Sequence, residues 1–96
     1  MISNVLNLRE QKFDLKFDLE KQVDLILDRF ISQFLNTKQV GLRLKIIVGK
    51  GLNSKRFINK KTPLRFHTEN YLRSLSLRFS DAPDFDGGYG VILVDM

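Results

Sequence analysis

Residues 42–54 read LRLKIIVGKGLNS, and the reading of the fold starts from them. Leu42, Leu44, Ile46 and Val48 alternate with Arg43 and Lys45, and Ile47 makes the end apolar on both faces, the pattern of a central strand backed by helices. A glycine-lysine-glycine turn follows at once. Gly49 and Gly51 lack a Cβ, so the backbone there can take positive φ and let a phosphate or another chain segment come close, with Lys50 projecting between them. Loops at the ends of buried strands are where sites sit in α/β sheets.

Upstream of this strand, Leu19, Val23, Ile26, Leu27, Phe30, Ile31, Phe34 and Leu35 recur at helical spacing, which predicts one broad apolar stripe packed on a sheet. Asp18 is a good N-cap for that helix, Glu20 suits the positive end of its dipole, and Gly41 suits its C′ position. Residues 12–16, KFDLK, place Phe13 and Leu15 opposite Asp14 and predict a short first strand, with residues 1–11 as an arm before it. Downstream, residues 53–61 are polar and basic and read as a loop. Thr62 and Pro63 mark a helix start. In the helix over residues 63–75, Leu64, Thr68, Tyr71, Leu72 and Leu75 form the core stripe, with Arg65, Glu69 and Arg73 outward. Residues 77–82 predict a short edge strand ended by Pro83, DFDGGYG a turn, and residues 91–94 a closing apolar strand. The sum is β-α-β-α-β-β: an α/β two-layer sandwich with a mixed four-stranded sheet and two helices in one domain, residues 12–96.

The composition is that of a folded protein, with 43% hydrophobic and 28% charged residues and eight Phe to supply core area. Cysteine is absent, which excludes disulfides, thiol catalysis and cysteine-ligated zinc. Residues 1–11 have neither the basic start nor the apolar run of a signal peptide, and no stretch approaches the ~18 apolar residues of a membrane span. A cytoplasmic location is the expectation. The net charge of +5 is unevenly spread: residues 29–68 contain ten of the sixteen Lys and Arg and no Asp or Glu. Such segregation is an electrostatic footprint for a polyanion.

Taken in order, the motifs resemble the Smr (small MutS-related) domain in its stand-alone bacterial form, over the stretch from Phe13 to the C-terminus. Phe13, Asp14, Leu15 and Lys16 stand where the family has Leu-Asp-Leu-His. Val48, Gly49, Lys50, Gly51, Leu52, Asn53 and Ser54 stand where it has His/Thr-Gly-x-Gly and Leu-His-Ser. Leu64, Arg65, Tyr71 and Leu72 match the second helix, and Ala82, Pro83, Gly87, Gly88, Gly90 and residues 91–94 match the terminal Ala-Pro, Gly-Gly-x-Gly and strand. The resemblance implies a fold similar to the C-terminal domain of bacterial translation initiation factor three, and activities that include DNA nicking, endoribonuclease cleavage and plain DNA or RNA binding.

The departures bear on which activity applies. Lys16, Val48 and Asn53 replace the polar or imidazole groups of the family motifs, so the bases that could move a proton near neutral pH are gone from those positions. Asp14, Lys16 and Lys50 are the candidates for residual phosphodiester chemistry: Asp14 can ligate Mg²⁺ or Mn²⁺, Lys16 can hold a phosphate, and Lys50 can stabilise developing charge. The plainer reading of Asp14 is a turn carboxylate. His67, the single histidine, reads as a helix residue, and Asp84 and Asp86 as turn chemistry. Gly49, Lys50, Gly51, Asn53, Ser54, Lys55, Arg56, Lys60, Lys61 and Arg65 form the expected nucleic-acid contact. The alternative is a module that docks on a ribosome or protein partner without chemistry.

Overall fold

The computed structural model describes residues 3–14, 16–35, 41–49, 63–86 and 88–96. The elements are β1 (Val5–Asn7), α1 (Leu19–Leu35), β2 (Arg43–Ile47), α2 (Pro63–Ser74), β3 (Arg78–Asp81) and β4 (Val91–Asp95). A 3₁₀ turn, Leu8–Glu10, follows β1, and two more, Asp84–Asp86 and Gly88–Gly90, precede β4. The four strands form one mixed sheet in the order β1-β2-β4-β3, with β1 parallel to β2 and β4 antiparallel to both neighbours. The small α/β architecture read from the sequence is therefore present.

One strand sits elsewhere than expected. The sheet's first strand is Val5–Asn7, in the stretch read as an arm, whereas Lys12, Phe13 and Asp14 are not extended in the sheet and Lys16 lies in a turn. The cause is local hydrogen bonding: the Asp14 carboxylate accepts the Lys16 N–H at 2.9 Å, and the Gln22 amide exchanges two 2.8 Å bonds with the Asp14 backbone. These bonds use the polar groups a strand would have given to a ladder.

Both β-α-β connections step the same way across the sheet. A right-handed crossover then puts α1 and α2 on one face. Burial agrees, because Leu44, Ile46, Ile92 and Val94, which share that face in the strand register, are fully buried against Val23, Leu27, Phe30, Ile31, Phe34 and Leu72. The predicted stripes hold in their centres and fail at their ends: Leu19, Leu35 and Leu75 are exposed. Leu19 and Leu35 are the first and last residues of α1, and Leu75 directly follows α2.

Caps mark the start of α1 and the end of α2. Asp18 accepts the Glu20 N–H at 2.9 Å through its side chain, as an N-cap does. Helix α2 closes with Leu77 N–H on Leu72 C=O and Ser76 N–H on Arg73 C=O, the paired bonds of a Schellman motif. Its C′ residue is Ser76, at φ 58°, where glycine is the usual occupant. Gly41 also takes positive φ, at 80°.

Outside α2's apolar stripe the structure overturns the reading of two charged residues. Arg65 and Glu69, expected to point outward, are buried. Arg65 Nε donates to Glu69 Oε2 at 2.8 Å, and its terminal nitrogen pairs with Asp81 at the end of β3. The other Glu69 oxygen takes Arg73 at 3.3 Å, and Arg73 in turn lies over the Phe79 ring. This network ties the first turns of α2 to the last residue of β3.

Candidate functional site

The parallel relation of β1, β2 and β3 gathers their C-terminal ends at one end of the sheet, beside the N-termini of both helices. Gly49 lies at this end, two residues past β2. Its φ is 80°, which a side chain would make costly, so glycine is required there as the sequence reading proposed. Val48 N–H and Gly49 N–H both donate to the Gly90 carbonyl at 2.9 Å. The two glycine turns that looked separate in sequence are thus clamped to each other.

Those bonds change what Gly49 can do. Its N–H is committed to Gly90 and does not face outward as an anion donor. What approaches it is the Arg9 side chain: a Cβ built on Gly49 would stand 2.7 Å from Arg9 Cδ and 3.0 Å from Nε. Arg9 is itself exposed and held by its own N–H, which donates to Asn7 Oδ1 at 3.0 Å. A guanidinium on the glycine turn was missed from sequence because Arg9 was read as part of an arm. The parallel register that brings Asn7 beside Ile47, and so Arg9 toward Gly49, had no signal in the chain itself.

Of the residues predicted for the site, Lys50, Gly51, Asn53, Ser54, Lys55, Arg56, Lys60 and Lys61 lie outside the described residues. Arg65 does not join them, because its buried guanidinium serves the ion pairs with Glu69 and Asp81. Asp14 and Lys16 are exposed near the start of α1. Asp14 behaves as a turn carboxylate. Among the described residues no three His, Asp or Glu side chains are placed together to hold a metal ion.

Two further features mark the surface. Phe17, Phe66 and Phe85 stand exposed beside the start of α1, in the first turns of α2 and after β3, all toward the same end of the sheet. On the helical side, His67 Nε2 meets Asp24 Oδ1 at 2.7 Å, joining α2 to α1. One turn along, burial raises the Tyr71 phenol pKa above its ordinary value, helped by the negative charges of Asp28 and Asp24 and by a hydrogen bond to Asp28. Both polar pairs fasten helix to helix.

The described residues carry ten Lys and Arg against eleven Asp and Glu, so the described part of the protein is close to neutral. Lys38, Lys50, Lys55, Arg56, Lys60 and Lys61, with no acid among their neighbours in residues 36–40 and 50–62, supply the whole excess. No described helix is long and apolar enough to cross a membrane. No protein-family model, no characterised protein and no solved structure matches the chain, and the chemistry of this end of the sheet therefore rests on its own residues.

Proposed function

We propose that the protein is a nucleic-acid-binding domain, Smr-like in its motif order, that holds phosphates with the basic connection between β2 and α2. The observation that carries this reading is the placement of charge: five of the six cations in excess of the near-neutral body fall in residues 50–62, joined to the sheet at Gly49. Lys50, Lys55, Arg56, Lys60 and Lys61 make the contacts, and Arg9 adds a guanidinium beside the turn. Gly51, Asn53 and Ser54 belong to the same connection. Binding is favoured over cleavage, because the Asp14 carboxylate is engaged by the Lys16 N–H in a local turn and Lys16 is no substitute for an imidazole base.

A salt titration tests it. With about five phosphates neutralised, log K on duplex should fall against log salt with a slope near ~−4.5, and Lys50→Ala should lower that slope by ~0.9. Lys16→Ala should also weaken binding. Unchanged affinity in both variants would remove the turn from the site.

A second reading has one observation in its favour. Phe17, Phe66 and Phe85 leave large apolar rings in water at the same end of the molecule, as a surface for a protein partner does. A flat salt response together with a partner lost on Phe85→Ala would select it.

A further inference from the structure

The face of the sheet turned away from α1 and α2 carries its own charge pattern. In the strand register Val5, Lys45, Leu93 and Ser80 form one row across it, and Arg43, Asp95 and Arg78 form the next. No described helix packs on this side. Arg43, Lys45, Arg78 and Asp95 therefore share this surface around Leu93, and the next row, Asn7, Ile47 and the buried Val91, lies toward the glycine turn. Elsewhere along the described chain the signs balance or reverse: Lys21 and Arg29 share α1 with Glu20, Asp24 and Asp28, and Arg9, Lys12 and Lys16 alternate with Glu10, Asp14 and Asp18 in residues 9–18.

From this asymmetry we propose that the face turned away from the described helices, through Arg43, Lys45 and Arg78, is a second contact surface for the phosphate backbone of a nucleic acid. The proposal rests on the nucleic-acid reading above and extends it from the turn onto the sheet. Side chains two apart on a strand share a face at ~6.8 Å spacing, so Arg43, Lys45 and Ile47 form a line along β2 that leads into the glycine turn. Arg78 widens the line by two strands, or ~10 Å. Arg43 Nε donates to Asp95 Oδ1 at 2.9 Å, but both partners are about half exposed, and such a pair gives way to a phosphate at little cost. Asp95 is then a brake on binding. An acidic partner protein would meet the same cations, and the probe distinguishes it.

The test uses the full chain and fluorescent oligonucleotides, single-stranded and duplex, across a range of salt. Arg78→Gln and Lys45→Gln should each weaken binding roughly fivefold at ~0.15 M salt and lower the salt slope by ~0.7 to ~0.9, while Asp95→Asn should tighten it. Arg29→Gln, on the helical side, removes the same net charge and should change neither. Equal effects of Arg78→Gln and Arg29→Gln would show a response to net charge alone and overturn the inference. If Lys50→Ala weakens binding while Arg78→Gln does not, the face fails and the turn stands. If the parent chain binds no oligonucleotide, both fall together. Melting temperatures within about 3 °C of the parent confirm that each variant is folded.

Discussion

Arg65 and Arg9 exchange roles between sequence and structure. Arg65 sits in the acid-free run and reads as a surface cation, yet it is buried between Glu69 and Asp81. Arg9 sits among mixed residues near the N-terminus and reads as nothing in particular, yet its side chain lies against Gly49 at the ends of the parallel strands. The difference lies in what surrounds each guanidinium. A buried arginine with two carboxylates is committed to holding the fold, whereas an exposed one on a Cβ-less turn is free to meet a ligand. Charge along a chain locates a basic region, and packing decides which of its members face water.

Breaking the comparison at its buried end should give the largest effect. Arg65→Ala takes the 2.8 Å guanidinium partner away from the buried Glu69 carboxylate, and by analogy with other broken buried pairs should cost about 3 to 5 kcal/mol in urea unfolding. Arg9→Ala should cost little stability and instead weaken binding. The reverse pattern would undo the assignment of roles. Gly49→Ala sharpens the other end: positive φ there should cost about 1 to 2 kcal/mol, with the Arg9 contact relieved by movement of a flexible side chain. At the far end of α2, Ser76→Gly should stabilise the protein by about 1 kcal/mol, because Ser76 holds the left-handed cap position.

The smallest effect is in alkaline solution. The Tyr71 phenol has a folded pKa raised above its unfolded value of 10.0, so its contribution to stability is complete below pH 10 and is lost as pH rises through the folded value. Tyr71→Phe should flatten that part of the stability curve. A slope unchanged from the parent above pH 10 would mean that the phenol titrates alike in both states.

Much of the architecture was legible in the chain. The period of α1, the Asp18 cap, the proline start of α2 and the alternation of β2 each express a local rule, and each stands in the structure. Two classes of feature were not legible. Strand β1 was misplaced because VLN has no period over three residues, while KFDLK alternates convincingly and its Asp14 and Lys16 are held instead by local bonds with the Asp14 carboxylate and Gln22. The buried ion pairs were missed for a different reason: Arg65 and Glu69 at i and i+4 look the same whether they face water or a neighbouring strand, and Asp81 is sixteen residues away. At the site, the need for glycine at 49 was readable, but its partners Arg9 and Gly90 come from opposite ends of the chain.

Equilibrium binding of a defined duplex across ~0.05 to ~0.2 M salt tests the central claim most directly, with the parent chain beside one in which Lys50, Lys55, Arg56, Lys60 and Lys61 are all changed to Gln. The substituted chain should show a slope shallower than the parent's by ~4.5, at similar stability. A parent slope already near zero, or an equal slope in both chains, would contradict the assignment of nucleic-acid binding to the β2–α2 connection.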